Sequence, residues 1–502
     1  MATICVPVRV HRPEELSGAI NVAAREGDLV EVRADYLAEP EVVLPIVREL
    51  PDDLQSRIVI TLRSAEQGGE LPHSHDVRRA FWTRARELPN VLFDVEVDLL
   101  QERDLPFDLG RVICSHHDFT RVPTDLEKIY AQMAATQART VKIAVQANDA
   151  IDCVPLFKLL ERAKRERREL IAIAMGQRGL MTRVLGSSRG SFLTYGSSDE
   201  ESATAPGQIT AQGLRSLYRI DSIDAETQIT GLIGNPVGHS LSPYVHNMAF
   251  ADADLNAVFL PFELDDVSAF LKRMVRPGSR EINWNLRGLS VTAPHKATVI
   301  GHLDWIDEGA REIGAVNTIV VEGGELHGYN TDAVGFIRPL KQRNESVAGL
   351  RCAVIGAGGA ARAVVWALKA EGALVTLFAR DKAKSETLAR QFDVSCRGLS
   401  NATFHEVDVV INATPLGTYG KAEHDTPATS EQLRGVRLAY DLVYNPSETR
   451  FLSEARAAGC ETIGGLDMLI AQAVEQFKLW TGKHPNVDVM RATARGRLGI
   501  DA

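Results

Sequence analysis

The sequence is poor in cysteine. Its six cysteines are scattered over 502 residues, with no CxxC pair and no neighbouring histidine cluster, at Cys5, Cys114, Cys153, Cys352, Cys396 and Cys460. This spacing argues against a disulfide framework and against a zinc site of the usual pattern. We therefore expect a protein of a reducing compartment that needs no metal.

Long apolar runs and an excess of basic residues are also lacking. No run approaches the roughly 18 apolar residues that span a bilayer, and no signal or transit pattern precedes the apolar stretch 4–8. The net charge of -10 argues against a nucleic-acid binder, and the basic run 162–168 alternates with acids as on a solvated helix face. We expect a cytoplasmic protein that acts on small molecules, without nucleic-acid or membrane partners. No oligomeric state follows from the sequence.

The length of the chain predicts more than one domain. At 502 residues, with 45% hydrophobic and 24% charged residues, the composition is that of a well-packed globular protein. Such a length suits three domains of about 150 residues, or a barrel of about 250 and two smaller domains.

The first half alternates short β-branched runs with amphipathic polar stretches. Helical candidates lie at 13–26, 76–87, 125–136 and 149–166. The apolar runs are eight in number, at 3–8, 29–35, 57–63, 91–97, 111–117, 140–146, 170–176 and 191–197. Eight such units predict an α/β fold, a TIM (β/α)8 barrel, whose chemistry lies at the carboxyl ends of the strands.

Polar residues interrupt these strands close to their carboxyl ends. Glu31 and Arg33 are two residues apart and share a face of the second strand, while Arg63 ends the third strand and His117 the fifth. Lys142 lies inside the sixth strand. A lysine in an apolar strand is usually a solvated edge residue, but a central barrel strand has no edge, so an inward lysine needs another reason.

Imine chemistry supplies such a reason. Only about one free lysine in a thousand is nucleophilic at neutral pH, and desolvation beside another cation raises that share. His117 is suited to general base and acid catalysis because histidine titrates near neutrality, and Asp118 or a backbone group would fix its tautomer. The spacing alone allows either His116 or His117 to face inward.

These residues resemble type I 3-dehydroquinate dehydratase over the first 220 residues. The matching segments are EVR (31–33), TLRS (61–64), SHHDF (115–119), VKIA (141–144), Met175, Arg183 and TAPGQ (204–208). The resemblance implies that Lys142 forms an imine with the substrate ketone and that His117 moves the C2 proton and protonates the departing C1 hydroxyl. It implies that Tyr195 and Met175 pack against the ring. It also implies that substrate is bound by Glu31, Arg33, Arg63, Arg183, Thr204 and Gln208, with Arg183 at the carboxylate.

One position departs from this pattern. The family usually places a glutamate, a partner for the histidine, just before the Gly-Gly of the third loop, where this sequence has Gln67. The histidine then loses a carboxylate unless Glu66 or Glu70 replaces it. Thr204 stands where a serine is usual and keeps a hydroxyl. An inactive barrel joined to an active second half is therefore an open alternative.

The second half begins after a short charged linker, 221–228, and contains a glycine-rich turn. A strand at 352–355 is followed by Gly356, Gly358 and Gly359 and then by a helix at 362–370. Glycines here permit a tight turn and the approach of a pyrophosphate to the helix N-terminus, although a buried turn is the alternative for the bare pattern. A second strand, 374–379, ends at the distance from the turn where dinucleotide-binding proteins contact the ribose.

Basic residues follow that second strand. Arg380, Lys382 and Lys384 stand where an NAD-binding protein usually carries an acid. Cations at this position favour a 2′-phosphate, so the pattern predicts NADP rather than NAD. An exposed arginine without a ligand is the alternative.

Further motifs resemble shikimate dehydrogenase over nearly all of residues 228–502. They are GNPVGHSLSP (234–243), VTAPHK (291–296), AVNT (315–318), YNTD (329–332), INATPLG (411–417), YDLVYNP (440–446) and GGLDMLIAQA (464–473). The resemblance implies that Lys296 and Asp332 form a catalytic pair beside the C3 oxygen. Taken singly, these residues could be caps or surface charges, and Ser242 could be a helix N-cap.

The same resemblance implies two sets of binding residues. The substrate set is Ser240, Ser242, Thr292, Asn317, Tyr444 and Gln472. The cofactor set is Gly356, Gly358, Gly359, Ala360, Arg380, Lys384, Asn412, Thr414 and Gly465. Ser290 stands where that family usually has asparagine, which removes one expected hydroxyl contact.

The two resemblances together predict a fusion of two enzymes. We expect a dehydratase barrel at 1–222, a substrate-binding domain at 228–335 completed by a C-terminal helix at 467–502, and a Rossmann NADP-binding domain at 336–466. The barrel, without a cofactor, would convert 3-dehydroquinate to 3-dehydroshikimate, and NADPH would reduce that product to shikimate for aromatic amino acid biosynthesis. A metabolite-sensing pseudoenzyme and quinate oxidation are the alternatives.

Overall fold

The computed structural model describes residues 1–102, 107–199, 207–343, 346–400, 402–420 and 422–500. The chain forms two compact units. The first comprises Met1–Thr227 with Pro261–Val275 and Ser279–Asn285, and the second comprises Gln228–Leu260, Arg276–Gly278 and Leu286–Ala502. Among the described residues, none of the helices has both the length and the apolar character that crossing a membrane requires.

The first unit contains a parallel eight-stranded barrel. Its strands are β1 (Ile4–Val8), β2 (Leu29–Arg33), β3 (Ile58–Thr61), β4 (Leu92–Glu96), β5 (Val112–Asp118), β6 (Thr140–Gln146), β7 (Glu169–Met175) and β8 (Thr194–Tyr195). They lie in the order β7-β6-β5-β4-β3-β2-β1-β8. A parallel bridge between Leu170 and Ser191 links the two ends, so the barrel is nearly closed. The predicted TIM barrel is confirmed.

Helices separate the strands of the barrel. They are α1 (Leu16–Glu26), α2 (Val43–Arg48), α3 (Asp52–Gln55), α4 (His75–Ala85), α5 (Val97–Leu100), α6 (Leu126–Ala134), α7 (Cys153–Glu166), α8 (Leu180–Leu185) and α9 (Ala211–Ser216). Local capping sets their ends: the Ser74 side chain accepts the Val77 amide at the start of α4, and Arg167 closes α7 in a left-handed conformation.

Five of the eight predicted strands are shorter in the structure than in the sequence pattern, and the local cause is clear for two of them. The run 29–35 ends at Arg33 because a 3-10 turn follows over Ala34–Tyr36. The run 191–197 keeps only Thr194–Tyr195, because Ser191 and Ser197 make isolated bridges rather than a continuous ladder. The strand ends nevertheless point polar residues into one region.

The second unit begins with a mixed sheet. Its strands are β9 (Gln228–Gly234), β10 (Ala257–Glu263), β11 (Asn285–Val291), β12 (Trp305–Ile306), β13 (Thr318–Glu322) and β14 (Glu325–Tyr329), in the order β10-β9-β11-β13-β14-β12. The accompanying α-helices are α10 (Ser242–Asp252) and α12 (Glu308–Ile313), while α11 (Val267–Phe270) lies in the segment Pro261–Val275 that belongs to the first unit. Strand β13 runs antiparallel to both β11 and β14.

A six-stranded parallel sheet completes the second unit. Its strands are β15 (Arg351–Ile355), β16 (Leu374–Ala379), β17 (Ser395–Gly398), β18 (Val409–Asn412), β19 (Leu438–Asp441) and β20 (Glu461–Ile463). Their order, β17-β16-β15-β18-β19-β20, is that of a Rossmann sheet, with the switch point between β15 and β18. Its helices are α13 (Thr331–Arg343), α14 (Gly359–Ala370), α15 (Lys382–Phe392) and α16 (Arg450–Ala457).

The predicted C-terminal helix 467–502 is wrong as a single element. The structure has two helices, α17 (Gly465–Thr481) and α18 (Val487–Arg497). The break lies at Gly482, which adopts a φ of 69°, a left-handed conformation that ends helices and that glycine accepts readily. Helix α17 packs its apolar face into the core around Leu232 and Val245, so it does join the mixed-sheet region.

Candidate active sites

A cavity lies at the carboxyl ends of the barrel strands. It is lined by Glu31, Arg33, Arg63, Gln67, Gly68, His117, Phe119, Lys142, Ala144, Ile173, Met175, Arg183, Tyr195 and Gln208. The structure therefore brings together every barrel residue that the sequence singled out for the site, except Thr204, which lies outside the described residues.

Lys142 lies at the centre of a hydrogen-bonded cluster in this cavity. It is only 4% exposed on β6, and its Nζ donates to Asp94 Oδ2 at 2.8 Å, to Glu31 Oε1 at 3.3 Å and to the Tyr195 hydroxyl at 2.8 Å. The groups bonded to the ammonium are thus two carboxylates and a phenol, not the cation that the sequence reasoning invoked. The carboxylates balance the charge of the buried lysine.

Asp94 is a site residue that the sequence reasoning missed. It is buried on β4 and accepts hydrogen bonds from Arg63 at 2.8 Å and from Lys142. Burial alone would raise its pKa, but the positive charges of Arg63 and Lys142 hold the pKa of Asp94 far below its ordinary value. The sequence did contain a signal for Asp94. Asp94 and Glu96 are charged residues two apart at the end of an apolar strand, as Glu31 and Arg33 are in the second strand.

His117 faces the cavity, which settles the choice that the sequence left open. Its ring stacks on Phe119 with centroids 6.3 Å apart, and His116 is not among the cavity residues. Burial, together with the positive charges of Arg63 and Lys142, lowers the pKa of His117 well below 6.5. The imidazole is therefore neutral at neutral pH and able to accept a proton.

The surroundings of His117 differ from the sequence expectation. Gln67 Oε1 accepts the backbone amide of His117 at 2.9 Å, whereas the ring Nδ1 has no hydrogen-bond partner within the described part of the chain. Glu66 and Glu70 are exposed and do not line the cavity. Asp118 accepts hydrogen bonds from Thr120 and Arg121, so of the two groups considered for fixing the tautomer, Asp118 is not bonded to the ring nitrogen Nδ1.

Arg183 is a buried cation without an acidic partner. It is 2% exposed on α8, its Nε has no hydrogen-bond partner, and no carboxylate in the described ranges forms an ion pair with it. Burial lowers the pKa of Arg183 to about 10. Arg33, by contrast, forms two hydrogen bonds to Asp35 at 2.8 and 2.7 Å. Arg183 is thus the cavity cation available to an anionic ligand.

A second cluster lies in the second unit, around Lys296. Its Nζ donates to Asp332 Oδ2 at 2.6 Å, and Asp332 stands in the first turn of α13. Asn317 Nδ2 donates to the other carboxylate oxygen at 2.8 Å and to Thr331 Oγ1 at 3.0 Å. The Lys296 side chain keeps 20% of its surface exposed. An anchored but accessible ammonium is suited to donating a proton.

The serines of the first loop have distinct places. Ser240 Oγ accepts the backbone amide of Ser242 at 3.2 Å, and Ser242 is the first residue of α10 rather than its N-cap. The capping explanation for Ser242 is therefore wrong. The Tyr444 hydroxyl hydrogen-bonds with Ser240, and burial raises the pKa of Tyr444. These contacts join two distant motifs.

The other residues predicted to bind substrate lie near these groups or on elements that support them. Thr292 directly follows β11 and its amide donates to Ile233, while Gln472 is 8% exposed on α17 and donates to the Leu469 carbonyl at 2.9 Å. Ser290 accepts a hydrogen bond from Gln476 at 3.0 Å. The sequence reasoning missed Gln476, which only the folding of α17 onto β11 brings to Ser290.

The glycine-rich turn between β15 and α14 has room for a ligand. Gly356 has a φ of 127°, and a Cβ there would meet the Ala413 carbonyl oxygen at 2.8 Å, so a side chain is excluded. A Cβ on Gly358 would meet nothing within 4 Å, which leaves open space before the N-terminus of α14. A Cβ on Gly359 would lie 3.6 Å from Lys296 Cδ, so this turn adjoins the second cluster. The geometry fits a dinucleotide.

The remaining predicted cofactor residues lie on several elements of the second unit. Arg380 and Lys384 are exposed after β16, and Ala360 lies in the first turn of α14. Gly465 begins α17, where a Cβ would meet the Leu442 carbonyl oxygen at 2.4 Å. Among the described residues there is no cluster of three histidine, cysteine or acidic side chains arranged to hold a metal ion.

Asn412 is fully buried rather than open to a ligand. Its Nδ2 donates to Asp441 Oδ1 at 2.9 Å, and its Oδ1 accepts from the amide and the hydroxyl of Thr414 at 3.0 and 2.7 Å. Asn412 therefore shapes the loop after β18 that carries Thr414.

Sequence families match both halves of the chain. The family described as Type I 3-dehydroquinase matches residues 4–225. The families described as Shikimate dehydrogenase substrate binding domain, Shikimate / quinate 5-dehydrogenase and Shikimate 5'-dehydrogenase C-terminal domain match residues 232–319, 339–441 and 465–495.

Individual relatives agree with this division. A bifunctional 3-dehydroquinate dehydratase/shikimate dehydrogenase, chloroplastic, from Arabidopsis thaliana is 33% identical over 95% of this chain and 82% of its own length. A shikimate dehydrogenase (NADP(+)) from Caldanaerobacter subterraneus subsp. tengcongensis is 40% identical over 55% of this chain and 99% of its own. A crystal structure of a shikimate dehydrogenase in complex with NADP+ has a TM-score of 0.51 and 39% identity, covering 55% of this chain and 97% of the other.

Proposed function

The chain belongs to the family of bifunctional 3-dehydroquinate dehydratase/shikimate dehydrogenases, and from this we propose which residues carry out each of its two reactions. The chain dehydrates 3-dehydroquinate to 3-dehydroshikimate and reduces that product to shikimate with NADPH, two steps of the shikimate pathway. The residue roles below rest on the geometry of the two clusters.

In the barrel, Lys142 is the nucleophile. Its nitrogen attacks the ketone carbon of 3-dehydroquinate, the carbonyl oxygen leaves as water, and the resulting iminium draws electrons from C2. The observation that carries this role is the position of Nζ, buried in the cavity and held by Asp94, Glu31 and Tyr195. Asp94 stays ionised and continues to balance the positive charge after the imine has formed.

His117 is the base and then the acid of the elimination. The neutral imidazole takes the C2 proton, and the imidazolium returns it to the C1 hydroxyl, which departs as water. Its lowered pKa favours the neutral form before the reaction and makes the imidazolium a strong acid afterwards. Gln67 supports this role by holding the backbone of His117.

Arg183 binds the substrate carboxylate. A buried guanidinium that lacks a protein carboxylate recovers its lost solvation when an anionic ligand arrives. The remaining cavity residues, Glu31, Arg33, Arg63 and Gln208, contact the hydroxyl groups or order the site, and Tyr195 and Met175 pack against the ring. Thr204 keeps its proposed binding role from the family pattern alone.

Reductive trapping tests the imine. Borohydride added during turnover of 3-dehydroquinate should leave a stable adduct on the peptide that contains Lys142, seen by mass spectrometry. Lys142→Ala should lose both the adduct and the dehydration activity, while Lys128→Ala, at an exposed position of α6, should keep both. Dehydration that survives Lys142→Ala would refute the imine mechanism.

In the second unit, Lys296 and Asp332 form the catalytic pair. Bound NADPH supplies the hydride that reduces the ketone of 3-dehydroshikimate. Lys296 donates a proton to the oxygen as negative charge develops on it, and Asp332 holds the ammonium in place. Asn317 fixes the orientation of the Asp332 carboxylate. Substrate is also contacted by Ser240, Ser242, Thr292, Tyr444 and Gln472.

The residues that would hold the cofactor lie along the turn between β15 and α14. Gly356, Gly358, Gly359 and Ala360 leave room for the pyrophosphate at the N-terminus of α14. Arg380 and Lys384 would bind the 2′-phosphate, and Thr414 and Gly465 would also contact the cofactor, with Asn412 hydrogen-bonded to Thr414. The melting temperature should therefore rise more with NADP+ than with the same concentration of NAD+.

We further propose the domain bounds 1–222, 228–335 with 467–502, and 336–466. The start of β9 at Gln228 supports the first division, whereas the bounds at 335/336 and 466/467 fall inside α13 and α17. A cytoplasmic location is likewise a proposal, supported by six cysteines that form no disulfide.

A further inference from the structure

Tyr195 brings a hydroxyl group to the reacting nitrogen of Lys142. The hydroxyl oxygen lies 2.8 Å from Lys142 Nζ, and the ring centroid is 4.3 Å from the same atom. Tyr195 stands on β8, is 6% exposed and pairs in register with Cys5 of β1. The family role of ring packing therefore leaves the hydroxyl of Tyr195 unexplained.

The three acceptors around Lys142 are not equivalent. Asp94 and Glu31 are carboxylates, which only accept hydrogen bonds while they are ionised. The phenol of Tyr195 both accepts and donates, and it is the one neutral group among the described residues that is hydrogen-bonded to Nζ. Burial and the nearby Glu31 carboxylate raise the pKa of Tyr195 well above its ordinary value, so the hydroxyl keeps its proton.

Imine formation needs two proton transfers at this nitrogen. The lysine begins as an ammonium with three protons, a C–N bond forms, the C–O bond breaks, and the iminium keeps one proton. The other two protons leave with the ketone oxygen as water. A carboxylate that took up these protons would lose the charge that balances the buried cation, whereas a phenol can accept one proton and donate another without changing its charge.

We propose that the Tyr195 hydroxyl relays these two protons from Lys142 Nζ to the departing oxygen. In each transfer Tyr195 accepts a proton from nitrogen and gives its own to oxygen, so it ends each step neutral. The same relay in reverse admits water when the product imine is hydrolysed. This role rests on the proposed imine mechanism and leaves His117 to the C2 proton and the C1 hydroxyl.

Tyr195→Phe tests the relay because it removes the hydroxyl and keeps the ring. We expect the rate at which the borohydride-trapped adduct forms, measured by rapid quench with 3-dehydroquinate, to fall about 10- to 100-fold. The kcat of dehydration should fall with it. Any isotope effect that deuterium at C2 produces in the wild type should shrink, because imine formation becomes slower than removal of the C2 proton.

Two controls isolate the hydroxyl. Tyr130→Phe removes a phenol that donates to Glu166 at 2.7 Å and lies outside the cavity, so its trapping rate should match the wild type. The dehydrogenase activity of each preparation reports the amount of intact protein. A wild-type trapping rate in Tyr195→Phe overturns the relay, and so does a lower kcat with an undiminished isotope effect. Activity in Lys142→Ala would instead refute the imine itself.

Discussion

Replacing Arg183 with methionine should abolish ligand binding in the barrel and at the same time stabilise the empty barrel. Arg183 is 2% exposed and makes no ion pair in the described part of the chain. Methionine is apolar and flexible enough to fill much of the space of the arginine stem. A residue that costs stability and serves a ligand is expected at a binding site.

The size of the effect follows from the depressed pKa. Burial lowers the pKa of Arg183 from 12.5 to about 10, so the folded state holds this proton less tightly than the unfolded state does. The difference corresponds to about 3 kcal/mol of lost stability at every pH well below 10. Imperfect packing of methionine costs about 1–2 kcal/mol of stability, which offsets part of the gain from removing the buried charge. We therefore expect a net gain of about 1–2 kcal/mol, or roughly 2–8 °C in the melting temperature of the barrel.

Thermal unfolding with and without ligands measures this gain. NADP+ binds the second unit, so the transition that NADP+ does not shift belongs to the barrel. That transition should rise in Arg183→Met and no longer respond to 3-dehydroshikimate. Arg63→Met is the matched control: Arg63 is equally buried but paired with Asp94 and Glu96, so its loss should destabilise the barrel by about 3–5 kcal/mol. A lower melting temperature in Arg183→Met, or a gain in both variants, would refute the reasoning.

Three further predictions concern the two sites. Gln67→Glu adds a carboxylate beside His117 and raises the pKa of that histidine, so the acid limb of dehydration kcat/KM should move up by about one pH unit; an unmoved limb would contradict this. Lys296→Met should lower the kcat of shikimate formation by about 100-fold or more; a pure KM effect would make Lys296 a binding residue. Arg380→Ala should raise the KM for NADPH by about tenfold and leave that for NADH unchanged, which steady-state kinetics would decide.

The barrel site was largely predictable because a parallel barrel places the carboxyl ends of all its strands at one face. Once eight parallel runs were recognised, Glu31, Arg63, His117 and Lys142 had to meet at one end of the barrel. Asp94 follows the same rule, because it lies near the carboxyl end of the fourth strand. The glycine turn was predictable for a similar reason, since strand, turn and helix are consecutive in the chain.

Other features depend on contacts between distant segments. The sequence does not show that Gln67 holds the backbone of His117, that Asn412 turns inward to Asp441, or that Gln476 reaches Ser290. Each contact joins side chains from separate loops or helices, and no periodicity encodes such a pairing. The sequence also does not show that Arg183 lacks an acidic partner, because its neighbours in the cavity are defined only by the folded chain.

One coupled assay tests most directly that a single chain carries both activities. Purified protein is given 3-dehydroquinate and NADPH, the loss of NADPH absorbance is followed, and 3-dehydroshikimate replaces 3-dehydroquinate in a parallel sample. NADPH should be oxidised in the presence of either substrate. In Lys142→Ala, oxidation of NADPH should be lost with 3-dehydroquinate and kept with 3-dehydroshikimate. Oxidation from 3-dehydroshikimate but not from 3-dehydroquinate in the wild type would contradict an active barrel.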